Sequence, residues 1–435
     1  MSRDPIAFAL ATMNRLAASP LLDRFGVRRP VERMAYQSTR AGFKTLAVAN
    51  REFRRVRGLF PRQQLPSKTP GSLFDLTLDD DQQMIVDSLK RFASEVIRPK
   101  AAECDDTGTL AGDIASQAHA LGLTLYAVPA EFGGVAETQS PLTSVLIAEQ
   151  LARGDMAIAM SLLAPFSVAQ AITQWGTGTQ QSTYLPAFCE EQPPVATVAI
   201  DEPHPLFDPI VLNTRARRTD SGFCLNGVKS GVIRAADSDL FLIAAELEDQ
   251  GPRLFIVERG TAGLSWTEEP AMGLRAAETA SLRLDDVSLD AEALLGDDSF
   301  NYTAFIDRAS IMRCGLATGT AQAVLDYVIP YCNDREAFGE PISHRQSVAF
   351  TISNMAIETE SMRLMTWRAA SRAEHGQDYH REACLARLLC NEKAMEIGTN
   401  GVQLLGGHGF VKEYPVERWY RDLRATATHF GGTHA

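Results

Sequence analysis

The chain has 435 residues, 45% of them apolar and 22% charged, enough for two or three packed units. Its net charge of −12 speaks against nucleic acid as a partner. Seven cysteines (104, 189, 224, 314, 332, 384 and 390) form no CxxC pair and eight histidines show no HExxH spacing. Neither a disulfide framework nor a metal site is expected, and a reducing, cytoplasmic setting is.

The charge is unevenly spread. Residues 1–70 carry 14 Lys or Arg against 4 Asp or Glu, which leaves −22 for the rest. From Val31 to Arg57 the pattern reads as a basic amphipathic helix with Met34, Leu46 and Phe53 near one side. Such a helix suits peripheral contact with an anionic membrane at its inner face, or a solvated helix packed on the body. The proline-rich run from Pro61 to Gly71 reads as a linker, so residues 1–72 are expected to be a basic extension.

Residues 73–193 read as a helical domain. Asp79 to Asp81 suit a helix N-terminus; Met84, Ile85, Leu89, Phe92 and Val96 follow at helical spacing, and Pro99 should end or bend that helix. Leu121 to Gly134 should be a loop, with helices at Leu142–Leu151 and Met156–Ile172 and a turn and helix over Trp175–Phe188. Residues 194–296 change to short apolar or alternating runs, at Val195–Ile200, Phe223–Leu225, Leu240–Ala245, Leu254–Val257 and Ser281–Leu284, which predict an antiparallel β domain. Residues 297–435 return to the helical period, with long helices at Ile306–Cys332, Gln346–His375 and Arg381–Asn400. The class is therefore α+β with segregated parts. No run of about 18 apolar residues predicts a membrane-spanning helix, and no strand-GxGxxG-helix unit predicts a Rossmann site.

Several strings carry a more specific resemblance, in sequence order. They are LTLDDDQQMIVDSLKRFASEVIRPKAAE, LGLTLYAVPAEFGG, MGLRAAETASLRLDDVSLDAEALLG, DREAFGEPISHRQ and the C-terminal GVQLLGGHGFVKEYPVERWYRDLRATATHFGGT. Over roughly residues 73–435 the chain resembles the acyl-CoA dehydrogenase family. The resemblance implies an N-terminal α-helical domain, a middle antiparallel β domain and a C-terminal four-helix bundle. It also implies FAD as cofactor, an acyl-CoA substrate oxidised across its α,β bond, and an acceptor like electron-transfer flavoprotein. Such proteins assemble as homo-oligomers or as heteromers with another acyl-CoA dehydrogenase.

By the same resemblance, Arg335, Phe338, Gln346, Gln403, Gly407 and Thr433 are the FAD-contacting positions, the first five toward the ADP half held by a neighbouring subunit. The flavin half departs from the family. Its Thr-Glu-Pro-Gly-x-Gly-Ser-Asp loop falls on Asp201 to Asp208, which keeps Glu202, Pro203 and Asp208 but places His204, Leu206 and Phe207 at the glycines and serine. The family's Trp-Ile-Thr falls on Gly231, Val232 and Ile233. The two usual places of the catalytic glutamate hold Gly431 and Ala309, with Ser310 where an arginine is usual. Asp307 is the nearest carboxylate to the second place, about 200° around a helix from Ala309, and is the candidate base if the helix start is shifted. These departures leave open a second reading, a partner or regulatory subunit of a heteromeric enzyme or an acyl-CoA-binding pseudoenzyme.

Overall fold

The computed structural model describes residues 77–429 apart from 137–138 and 249. The basic extension, with the helix expected over 31–57 and the expected linker, and the last-loop positions Gly431 and Thr433 lie outside these residues.

The helical domain begins with α1 (Asp80–Phe92), whose first turn is closed by a capping box between Asp79 and Gln82. The helix is not ended by Pro99. Residues Ala93–Ile97 form one wide π turn, and α2 (Arg98–Thr107) runs on through Pro99 near its start. A proline has no N–H to give to the preceding turn, and the wide turn removes the clash with the carbonyl behind it. Then come α3 (Gly112–Ala120), α4 (Pro141–Ala152), α5 (Met156–Trp175) and α6 (Gly178–Tyr184). Helix α5 is long and apolar enough to cross a membrane by length and composition, but 83% of its most apolar window is buried inside the protein. It is the central rod of the largest core cluster, which is why it is apolar all round.

The β domain is one seven-stranded sheet: β1 (Ala196–Ala199), β2 (Arg215–Thr219), β3 (Gly222–Val232), β4 (Leu240–Leu247), β5 (Gly251–Glu258), β6 (Leu264–Glu268) and β7 (Ala280–Asp290). The β2–β3, β3–β7, β4–β5 and β6–β7 pairings are antiparallel, and short turns join β2 to β3 and β4 to β5. The sheet is mixed, however, because β1 and β2 both lie parallel to β4, reached by long connections that no local pattern reveals.

The third part contains three long helices, α7 (Tyr302–Asp334), α8 (Gln346–Glu374) and α9 (His380–Leu405), and the short α10 (Val416–Ala425). A two-stranded hairpin, β8 (Glu336–Ala337) and β9 (Glu340–Pro341), turns the chain from α7 into α8. Their shared core centres on Val324, Val328, Met362, Ile397 and the fully buried Trp419.

Helix α10 joins all three parts through buried polar side chains. Arg418 donates to Asp155 at 3.0 Å with both side chains buried, and Asp155 also caps α5 at the Ile158 N–H. Arg421 makes a fork onto Asp105 at 2.7 and 2.9 Å. Asp422 accepts from the Leu274 N–H of the β domain at 2.6 Å. Burial, with the neighbouring Asp155 charge, pushes the Asp422 carboxyl up to about 8. An unfolded aspartate sits near 3.9, so between roughly pH 4 and 8 the folded chain holds a proton that the unfolded chain has released. Stability from this group is complete below that window and is lost as pH rises through it. Melting temperatures across pH 5 to 8 should fall, and Asp422→Asn, which keeps the acceptor for Leu274, should flatten the slope.

Candidate functional site

A cavity of about 170 Å³ lies where α4, α5, the β sheet and α7 meet. Much of its wall is apolar, from Met160, Leu163, Ile233, Met312 and Leu316. At the sheet it carries Thr197, Asp201, Ser230 and Gly231, and from the last turn before the C-terminal loop it receives His429. An apolar cavity with a few converging polar groups is the form of a small-molecule site.

The sheet side is built by an irregularity. The β3–β7 register shifts between Lys229 and Val232, so Ser230 and Gly231 form a bulge. Ser230 N–H donates to the Asp201 carbonyl at 2.9 Å, while Glu269 accepts from Ser230 Oγ at 2.8 Å and Gly231 N–H at 2.6 Å. Gly231 has φ +62°, and a Cβ there would stand 3.1 Å from His429 Cε1. The backbone conformation and the imbedded imidazole both call for glycine.

Under this floor lies a buried ion pair. Lys229 Nζ reaches Glu202 at 2.9 Å and the Ile200 carbonyl at 3.0 Å, with both charged side chains essentially inaccessible. Burial pushes Lys229 down to about 8, with Glu202 acting in the opposite sense. Glu202 also accepts from the N–H groups of Asn213 and Thr214 at 2.7 and 2.8 Å. The loop retained as Glu202–Pro203 is thus a structural clamp that sets the positions of Ile200 and Asp201.

The cavity-lining ionisable groups among the described residues are Asp201, Arg308, Arg313 and His429. Asp201 and His429 face each other, Oδ2 to Nδ1, at 2.7 Å, and both side chains are largely buried. Arg313 interacts electrostatically with Asp201; burial lowers its guanidinium to about 10, which leaves it charged at neutral pH. Thr197 is fully buried and its hydroxyl has no hydrogen-bond partner.

The expectations for individual residues divide. Ala309 lines the cavity and presents only a methyl group there. Asp307 is corrected: it is not in that wall. It is buried against α9 with its two oxygens 3.0 and 2.9 Å from His380 Nδ1. The helix starts at Tyr302 and no shift brings Asp307 round. Arg335, Phe338, Gln346, Gln403 and Gly407 are all exposed at the other end of the bundle, where α7 and α9 end and α8 begins. Tyr331 OH and His408 Nδ1, 2.8 Å apart, tie the first of these segments to the last. Phe338 is 98% exposed, with Arg345 over its ring. His429 was missed. It lies in the C-terminal string, two residues before Gly431, but nothing in that string marks it out, and it meets Asp201 only through the fold. Positions 201 and 231 were singled out in the sequence, but nothing there paired either with position 429.

Lys229→Met would leave Glu202 buried without a counter-charge, and should destabilise the protein by about 3–5 kcal/mol. Denaturant unfolding of this variant, and of Lys229→Met/Glu202→Gln, measures the effect. The double variant should recover part of the loss.

Family models cover the chain in three consecutive pieces. They are the acyl-CoA dehydrogenase N-terminal domain over residues 79–192, the middle domain over 197–287 and the C-terminal domain over 302–435. The short-chain specific acyl-CoA dehydrogenase of Bos taurus mitochondria is 30% identical over 363 residues, covering 81% of this chain and 87% of the bovine protein. Among solved structures, butyryl-CoA dehydrogenase from Megasphaera elsdenii superposes with a TM-score of 0.76 at 28% identity, covering 83% of this chain and 97% of that one. A chain described with the electron transferring flavoprotein of Acidaminococcus fermentans matches with the same score and identity, over 83% of this chain and 96% of that one. The helical domain, the sheet and the bundle stand in the same order as these domain models, and the chain belongs to the acyl-CoA dehydrogenase family.

Proposed function

We propose that the protein is an FAD-dependent dehydrogenase that removes hydrogen across the Cα–Cβ bond of an acyl-CoA thioester. The observation that carries this reading is the cavity itself, an apolar channel between α5 and α7 that ends against the polar bulge of the sheet.

The residues fit the cofactor. The unpartnered Thr197 hydroxyl supplies a hydrogen-bonding group for the polar edge of a flavin ring. Arg335 and Phe338 suit a pyrophosphate and an adenine, with the amides of Gln346 and Gln403 beside them. Gly407 has no atom within 4 Å of a Cβ position, so the surface there is open to a ligand. FAD, when bound, accepts the hydride from Cβ. The chain's own residues exclude water, hold the acyl chain against apolar helix faces and receive the α-proton.

Because the ADP-facing group is exposed and lies at the far end of the bundle from the Asp307–His380 pair, a second copy of the chain is the partner that would bring a flavin to it. An acceptor like electron-transfer flavoprotein is the matching electron partner. Residues 1–70, at net +10, are the candidate contact with an anionic membrane face.

Purified full-length protein, reconstituted with FAD, should show flavin absorbance that is bleached anaerobically by at least one of butyryl-CoA, octanoyl-CoA and glutaryl-CoA. Protein that takes up no FAD, or stays yellow with all three, would count against this function.

A further inference from the structure

Oxidation across Cα–Cβ needs a group that takes the α-proton as hydride leaves Cβ. A guanidinium carries donors and no acceptor, which sets Arg308 and Arg313 aside. Among the described residues lining the cavity that leaves Asp201 and His429 as the ionisable side chains able to accept one, and the structure joins these two at 2.7 Å. The two places where the family carries a carboxylate base hold Ala309, in the cavity wall, and a glycine, Gly431.

We infer that His429 is the proton acceptor of this enzyme and that Asp201 is its positioning residue. The inference rests on the dehydrogenase reading above and names the group that makes that reaction possible. The Asp201 carboxylate accepts the hydrogen on His429 Nδ1, which fixes the tautomer and leaves the lone pair on Nε2. In the reaction the Cα–H bond breaks and its proton passes to Nε2. Its electron pair becomes the new Cα=Cβ bond as hydride leaves Cβ for FAD. The imidazolium so formed is stabilised by the carboxylate already bonded to it, in a wall that is mostly apolar and therefore strengthens the attraction.

The arrangement depends on residue 231 being glycine. His429 Cε1 would lie 3.1 Å from a Cβ at that position, so the imidazole occupies the room that a side chain at 231 would fill. A hydroxyl at position 201 would offer the ring a weaker partner than the carboxylate that is there. The substitutions at 201 and 231 thus both serve one imidazole, whose own position lies 228 residues further along the chain from Asp201.

Two measurements on the FAD-reconstituted full-length protein test this. The first is deuterium exchange at Cα of 3-thiabutyryl-CoA and 3-thiaoctanoyl-CoA in D₂O, where sulfur at the β position prevents hydride loss and only proton removal is read. The second is flavin bleaching by the parent acyl-CoAs. His429→Phe keeps a ring against Gly231 but cannot accept a proton. It should retain FAD and lose exchange by about 10²- to 10⁴-fold. His429→Ala should recover part of its exchange when free imidazole is added, which a space-filling role would not allow. Asp201→Asn should lower kcat with little change in KM, and Asp201→Glu should restore part of it.

Exchange by His429→Phe at the wild-type rate, or no rescue of His429→Ala by imidazole, overturns the assignment. Wild-type protein that exchanges the α-proton without bleaching overturns the dehydrogenase reading alone; loss of that exchange in His429→Phe and its rescue by imidazole in His429→Ala then support His429. Wild-type protein that does neither overturns both.

Discussion

The buried ion pair of Asp155 and Arg418 is the constraint on which the site depends. Each charge alone would be expensive to bury, and removing either partner from such a pair typically costs about 3–5 kcal/mol. Both are almost inaccessible, and Asp155 simultaneously caps the apolar rod α5. The pair therefore fixes α10 against the helical domain, while Asp422 on the next turn holds the Leu274 amide of the β domain and Trp419 fills the bundle core. One ten-residue helix thus joins three parts that are distant in sequence. The chain leaving α10 has only the short turn Thr426–Thr428 before His429, so its direction is set by that helix, and the imidazole arrives at the sheet.

A second buried pair does the same for the opposite wall. Lys229 and Glu202 sit beneath the bulge, and their bonds to the Ile200 carbonyl and the Asn213 and Thr214 amides hold the loop that starts at Asp201. The loop beyond it carries the bulky His204, Leu206 and Phe207, yet its anchor is intact. That separates two roles which the sequence string mixes. Glu202 belongs to the clamp, whereas position 201 faces the cavity. Substitution at 201 changes the chemistry presented to a ligand without releasing the fold that presents it.

What was legible in the sequence follows from how local each cause is. The long helices α7, α8 and α9 were readable to within a few residues because apolar spacing repeats over many turns. Strands β2 and β6 were not, since RARRT and LSWTE are mostly exposed and have no apolar run; their partners, not their composition, make them strands. The parallel pairing of β1 and β2 with β4 is equally non-local. Pro99 read as a break because the five-residue π turn that accommodates it leaves no mark in the apolar pattern. The angle of about 200° between Asp307 and Ala309 correctly separated the two faces of α7. It could not reveal that Asp307 is engaged by His380. The Asp201–His429 contact spans the whole β domain and bundle, and no periodicity encodes it.

Four features look unrelated when taken one at a time: a carboxylate at 201, a glycine at 231, and no carboxylate at 309 or 431. Geometry makes them interdependent. Glycine at 231 without His429 would leave a void in a well-packed wall, and a void forfeits contacts on every lining atom. His429 without Asp201 would place an imidazole in an apolar cavity with its Nδ1 hydrogen unbonded, which is itself costly. Asp201 without His429 would lose the imidazole that bonds its carboxylate at the cavity wall. Each of these residues removes a penalty that another would create, so Asp201, Gly231 and His429 are better understood as one interdependent constellation than as three separate features.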